Sequence, residues 1–323
     1  MIQLHNLTKK YDTTIAIDNL SFSVEKGEIV GFMGPNGAGK TTTMKILTCY
    51  MPPTSGTATV AGYDILENSL EIRKNIGYLP ESNPLYLEMG VIEWLEFIAR
   101  IHKLPANTRS ARIKTVVETC GLGDVISKDL GELSKGYRQR VGFAQAILHD
   151  PQILIMDEPT TGLDPNQVME IRKLIKDLGK EKTVILSTHI LSEVQATCNR
   201  VLIINKGKII ADGTTGDLHD MVQGKELLWL KLKAPKNDVL KNLPLLDGIE
   251  SVNELEAENE NINGYEIQAR QGSDLREAIF NYAVKQGWVI MEMQRKLISL
   301  EDIFRKLTME EPAQENSGAG AEQ

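Results

Sequence analysis

GPNGAGKTT, residues 34–42, is the stretch on which the fold turns. It follows a short apolar run, residues 27–33 (GEIVGFM), and opens a helical pattern at Lys40 (KTTTMKIL). That is the strand–loop–helix context in which G-x-x-x-x-G-K-[ST] binds phosphate. Gly34, Gly37 and Gly39 let successive backbone amides turn inward around phosphate oxygens, with Pro35, Asn36 and Ala38 completing the loop. The helix that follows adds free amides and the positive end of its dipole. Lys40 is expected to reach the β- and γ-phosphates, the Thr41 hydroxyl to ligate Mg²⁺, and Thr42 to sit beside them. A strand feeding such a loop implies an α/β domain of the P-loop nucleotidase kind.

Two further elements give the loop company. ILIMDEP, residues 153–159, is an apolar strand that delivers two carboxylates to its C-terminal end, where α/β sheets bind ligands. Asp157 is expected to hold Mg²⁺ through its water shell. Glu158 is expected to polarise a water attacking the γ-phosphate. LSKGYRQR, residues 133–140, precedes a helical run containing Val141, Ala144 and Leu148. Ser134 and Gly136 there offer a hydroxyl and a close-approach backbone at a helix start, a second anion site. One nucleotide does not need two cradles on one chain, whereas two chains facing head to tail do, because each can cap the other's nucleotide.

Working outward, residues 152–157, 183–187 and 201–205 are short runs rich in Ile, Val and Leu, as in a buried parallel sheet covered by helices. Residues 2–7 and 17–24 alternate as half-buried antiparallel strands do. After Gly213 the texture changes. Strands are predicted at 225–233, 248–255, 264–270 and 288–295, with helices at 237–243 and 273–286, the β-α-β-β-α-β order of a ferredoxin-like domain. The acidic run 254–260 (ELEAENE) reads as a strand end and solvated hairpin tip. A last amphipathic helix is predicted at 299–307, with Leu300, Ile303, Phe304 and Leu307 on one face. Beyond Glu310 a stretch without aliphatic anchors reads as disordered. The expected organisation is therefore residues 1–220, 225–308 and a tail at 309–323.

Composition narrows the class. The chain has 323 residues with 36 Lys+Arg against 44 Asp+Glu, and the net charge of −8 argues against a general nucleic-acid or anionic-membrane surface. No apolar run approaches the roughly 18 residues of a spanning helix, and no signal-peptide pattern opens the chain. Cys49, Cys120 and Cys198 are too few and too scattered for a disulfide framework or a zinc cluster. A cytosolic location is expected.

With these motifs in place, the first 220 residues resemble the ATP-binding subunit of an ABC transporter. Walker A is residues 34–42, the signature is LSKGY with Ser134 and Gly136, and Walker B is residues 153–158. TGLDP, residues 161–165, is similar to the D-loop, with Asp164 as the cross-dimer contact, and His189 in STHIL matches the switch histidine. Tyr11 in KKYDTTIAI lies where the family stacks an aromatic on adenine. The resemblance implies a cassette with an antiparallel β subdomain, a RecA-like parallel core and a helical subdomain. It also implies ATP and Mg²⁺ as ligands, a homodimer through the ATP sites, and a separately encoded transmembrane permease holding the chain at the inner face of the cell membrane. The ferredoxin-like extension and SLEDIFRKLT, residues 299–308, resemble the ABC-2-type exporter ATPases, in particular the gliding-motility-associated group.

Three positions depart from the family pattern. Glu81 in IGYLPE stands where the Q-loop usually has Gln, and is expected to ligate Mg²⁺ while adding charge near the triphosphate. Lys135 and Tyr137 stand where many relatives have Gly and Gln. The alternative, a soluble ABC-type ATPase acting on ribosomes or DNA, fits less well. The chain has one cassette, and only 117 residues run from Lys40 to Asp157, without heptads for an inserted coiled coil. For the C-terminal region, a small-molecule sensor that inhibits hydrolysis and a dimerisation or permease contact are both open, the former by fold-level analogy.

Overall fold

The computed structural model describes residues 1–214, 216–217, 225–259, 262–270 and 274–296. The chain divides between residues 215 and 216 into two compact units.

Alternating residues near the N-terminus build two long strands, β1 (Ile2–Tyr11) and β2 (Thr14–Val24). The continuous apolar run after them becomes β3 (Ile29–Met33), every residue of it buried, and Lys40 opens α1 (Lys40–Leu47). Then come β4 (Ser55–Val60), β5 (Tyr63–Asp64), α2 (Ser69–Asn75) and β6 (Ile76–Leu79). Three helices follow, α3 (Val91–Ile101), α4 (Ala106–Thr119) and α5 (Lys135–Ile147). The unit ends with β7 (Ile153–Asp157), α6 (Pro165–Gly179), β8 (Thr183–Thr188), α7 (Leu191–Thr197), β9 (Arg200–Asn205) and β10 (Lys208–Gly213).

Two sheets result. One is antiparallel, in the order β2-β1-β4-β5. The other runs β10-β9-β3-β8-β7-β6, parallel except for the β10 edge. Its central strands are buried on both faces, and the side-chain period of two distributes them between two cores. Leu154 and Met156 join the core shared with α3, α4 and α5, whereas Ile153 and Ile155 join the core under α1, β1 and β2. On α3, Val91, Trp94, Leu95, Ile98 and Ala99 form the inward stripe at helical spacing. Register matters most here: Met33 pairs with Thr188, and Asp157 with Ser187. Three strands thus end level, and the loops that leave them meet.

In the second unit the order is β11 (Lys225–Lys233), α8 (Lys236–Asn242), β12 (Ile249–Asn259), β13 (Ile262–Arg270), α9 (Arg276–Gln286) and β14 (Val289–Lys296). The sheet is antiparallel in the order β12-β13-β11-β14, the split β-α-β arrangement of ferredoxin-like folds. Leu228, Leu230 and Leu232 alternate into its core against Tyr265, Ile267, Ile279 and Ala283. The opposite face carries the pair Lys231–Glu292 at 3.0 Å. Helix α9 starts at Arg276, where the Asp274 carboxylate accepts from the Arg276 backbone N–H; the expected start, Ser273, lies outside the described residues. Strand β12 extends to Asn259, farther into the acidic run than expected. The helix expected at 299–307 and the tail at 309–323 also lie outside the described residues. Among the described residues no helix is long and apolar enough to cross a membrane, and Cys49, Cys120 and Cys198 are free thiols.

Candidate functional site

The loop between β3 and α1 wraps the Lys40 side chain. Its Nζ donates to Gly34 O at 2.8 Å and Pro35 O at 3.2 Å, and lies 3.5 Å from Glu158 Oε1, with only 6% of the residue exposed. Gly39 has φ +110°, and a Cβ there would come within 2.6 Å of Ala16 O, so both its conformation and its packing require glycine.

From β7, Asp157 is buried and accepts a hydrogen bond from Ser187 Oγ through Oδ1, while its Oδ2 has no partner. Glu158 sits just past the strand at φ +48°, a left-handed conformation that costs a non-glycine residue about 1 kcal/mol or more. Its N–H is captured by Ser187 O and Ser187 Oγ, both at 3.1 Å. Its Oε2 accepts from His189 Nδ1–H at 2.9 Å and Thr161 Oγ1 at 3.2 Å. Three groups therefore hold this carboxylate in one orientation: Lys40 on one oxygen, His189 and Thr161 on the other.

These side chains surround a cleft of about 550 Å³ lined by Ala16, Asn36, Gly37, Gly39, Lys40, Thr41, Thr42, Glu81, Glu158, Thr161 and His189. Gly34, Pro35 and Ala38 form the rest of the loop, and Asp157 is buried at the end of β7. The remaining expected residues are not brought into this cleft. Tyr11 closes β1 with its hydroxyl donating to Met51 Sδ at 3.0 Å and the Lys9 ammonium 5.4 Å from its ring centre. Ser134 caps α5 by accepting from Tyr137 N–H at 3.4 Å, and Asp164 caps α6 by accepting from Asn166 and Gln167 N–H at 3.0 Å. Gly136 is buried in the first turn of α5. Ala16, Thr161 and Ser187 were not anticipated. Thr161 and Ser187 stand in the motifs TGLDP and STHIL, but the role of Ser187 is identified only by the pairing of β7 with β8.

A second depression, about 510 Å³, lies in the same unit and is lined in part by Tyr50, Tyr78, Pro80, Ser82, Pro84 and His149. Its wall is shared with the cleft: Pro80, Ser82 and Pro84 face the groove, while Glu81 between them faces the cleft. His149 stacks on His102 with ring centres 3.8 Å apart, and its Nε2–H donates to Ile76 O at 3.0 Å. Burial, and then the neighbouring His102, push the His149 pKa from 6.5 down to about 4, against the pull of the Ile76 carbonyl. The unfolded chain takes up this proton as pH falls through 6.5, whereas the folded protein does so only near 4. Its contribution to stability is therefore complete above 6.5 and lost across that window. Replacing His149 by Gln is expected to shrink the drop in Tm between pH 7.5 and 5, measured by calorimetry; an undiminished drop would assign the acid sensitivity to other groups.

A phosphate loop, a lysine and a carboxylate paired across one cleft, and a second carboxylate at the adjoining strand end define a P-loop nucleoside triphosphatase. The comparisons take this further. The family model "ABC transporter" matches residues 17–161. The bacitracin transport ATP-binding protein of Bacillus licheniformis is 34% identical over 313 residues, covering 95% of this chain and 97% of that one. The linearmycin resistance ATP-binding protein of Bacillus subtilis is 31% identical over 311 residues, covering 95% and 98%. Among solved structures, a dimeric ATP-binding cassette in a post-hydrolysis state with ADP and Pi superposes with a TM-score of 0.62 at 26% identity, over 66% of this chain and 98% of the other. The chain belongs to the ATP-binding proteins of ABC transporters, and it is an ATPase.

Proposed function

We propose that two copies of the chain meet head to tail, Ser134 and Gly136 of each completing the nucleotide site built on Lys40 and Thr41 of the other, with Asp164 at the junction. Closure on ATP and reopening after hydrolysis then drive a separately encoded permease of the ABC-2 exporter type, on whose cytoplasmic side the chain sits. Residues 1–220 act as the ATPase and residues 225–308 as an accessory domain. The observation that carries this reading is the position of Ser134: exposed, at the start of α5, and outside the cleft of its own chain. That helix start has no acidic residue in its first turn and carries Lys135 instead. A cation at this dipole end costs about 0.3–1 kcal/mol unless an anion faces it. The relatives named for bacitracin transport and linearmycin resistance support an exporter.

In the proposed reaction, the amides of the loop and the Lys40 ammonium hold the triphosphate in line. Glu158, held by His189 and Thr161, orients the attacking water and accepts its proton. With Nδ1–H committed to Glu158, His189 would hold the γ-phosphate through Nε2, which donates to it only when it too carries a proton. Magnesium fits the donor set, because the buried Oδ2 of Asp157 lacks a partner and Thr41 and Glu81 line the same cleft. Asp157 (through water), Thr41 and Glu81 would hold it, and it would neutralise developing phosphate charge. Replacing Glu81 by Gln is expected to keep ATPase activity within about tenfold, roughly 1.4 kcal/mol of barrier, since either side chain offers the metal an oxygen. Complete loss of turnover would give the carboxylate a role that oxygen donation does not explain.

The shared wall of Pro80, Glu81, Ser82 and Pro84 links a permease segment seated in the groove to the hydrolytic cleft. The dimer is tested by mixing two inactive variants, Ser134→Arg and Lys40→Met. A mixed dimer has one intact site, so activity is expected to return to as much as about a quarter of wild type in an equal mixture. A mixture as inactive as its parts would refute the head-to-tail arrangement. Copurification with a membrane protein from detergent, rather than with ribosomes or DNA, tests the permease.

A further inference from the structure

Gln139 is a buried polar residue, 8% exposed, one turn into α5 from the signature. Its Nε2 donates to Pro159 O at 2.9 Å. Proline has no N–H, so this carbonyl is the only backbone hydrogen-bonding group of the residue directly after Glu158. Neighbouring contacts run the same way along the helix. The Lys135 ammonium lies over Gly162, Arg140 pairs with Glu170, and a Cβ on Gly136 would come within 2.5 Å of the Gln167 side chain. Residues 135, 136, 139 and 140 thus fasten the first two turns of α5 along the segment from Pro159 to Glu170. On the other flank Asn83, two residues past Glu81, donates to Arg138 O at 3.4 Å and occupies the space above Gly142.

We propose that Gln139 is a positioning residue that couples the two nucleotide sites of the dimer, by tying the signature turn that faces the partner's nucleotide to the backbone that holds Glu158 over its own. Of the four fastenings, this is the one that ends beside the catalytic carboxylate. It also acts on a strained residue, since Glu158 is at φ +48° and a shift of Pro159 would release it from Ser187. Movement of Ser134 on engaging the partner's triphosphate therefore reaches Glu158 through one hydrogen bond and one peptide unit. The inference rests on the head-to-tail dimer proposed above.

The test is Gln139→Met in the full-length chain, which keeps the unbranched shape and removes the donor. Wild-type hydrolysis is expected to be cooperative in ATP, with a Hill coefficient approaching about 2 for two coupled sites. In Gln139→Met the coefficient is expected to fall to about 1 and kcat by about tenfold, while the protomer's affinity for fluorescent ADP stays within about twofold. Restoring a donor with Gln139→His is expected to recover part of the cooperativity. Unchanged cooperativity and kcat in Gln139→Met would overturn the coupling role. So would a loss of ADP affinity in step with kcat and Tm, which marks a merely structural residue. A wild-type coefficient of 1, together with failure of the mixing experiment, removes the dimer as well; cooperative wild type with an unaltered variant removes only Gln139.

Discussion

Glu158→Gln is expected to hydrolyse ATP more slowly by two to four orders of magnitude, about 10³-fold, and to accumulate as an ATP-bound dimer. The amide keeps the size of the carboxylate and can still accept from His189 and Thr161, whose contacts at 2.9 and 3.2 Å fix the side chain. What disappears is the basicity and the charge opposite Lys40. The contacts proposed for the nucleotide, the loop amides and Lys40, are untouched, so binding is expected to survive. Closed dimers then persist because the step that reopens them is blocked. Light scattering with ATP and with ADP, beside phosphate release, reads both halves: a dimer in ATP only, with release near background. Wild-type turnover in this variant would remove Glu158 from its assigned role.

The second large effect belongs to Lys40→Met. Lys40 and Glu158 form a buried pair, 6% and 9% exposed at their side chains, and removing one member strands the other. Such a loss costs about 3 kcal/mol, which in a domain of this size lowers Tm by about 10 °C. It also deprives the β- and γ-phosphates of their cation, and ATP affinity is expected to fall by at least about 100-fold, near 2.7 kcal/mol. The two effects separate in the double variant Lys40→Met, Glu158→Gln. Removing the stranded carboxylate is expected to restore much of the Tm and none of the affinity. A double variant no more stable than Lys40→Met would mean that the Glu158 charge is already solvated.

The phosphate loop and the two carboxylates are legible in the sequence because their chemistry is local. Gly39, Lys40 and Thr41 are set by one turn, and Asp157 and Glu158 by one strand end. The strands feeding the site came within about two residues for the same reason, 27–33 against Ile29–Met33 and 183–187 against Thr183–Thr188, whereas the expected 2–7 runs on to Tyr11 and 248–255 to Asn259. Ser187 and Gln139 are different. Nothing near Ser187 announces that it supports Asp157 and Glu158; that follows from β8 lying beside β7 with Asp157 opposite Ser187, a register created by a crossover. Gln139 lies within LSKGYRQR, but nothing in that stretch announces Pro159 as its partner. Tyr11 was assigned by resemblance alone, and its neighbours, Lys9 and Met51, are not cleft residues. Local chemistry survives in one dimension, whereas partners brought together by topology do not.

The wall between groove and cleft has a consequence for how such a subunit diversifies. Pro80, Ser82 and Pro84 contribute to one surface, and Glu81 to the other. With a permease segment seated in the groove as proposed, Pro80, Ser82 and Pro84 can be rewritten to suit a new membrane protein while Glu81 stays in the cleft. A replacement at Glu81 itself would instead alter the cleft. Tolerance at positions 80, 82 and 84 and intolerance at 81 are therefore expected to coexist within one short stretch of chain.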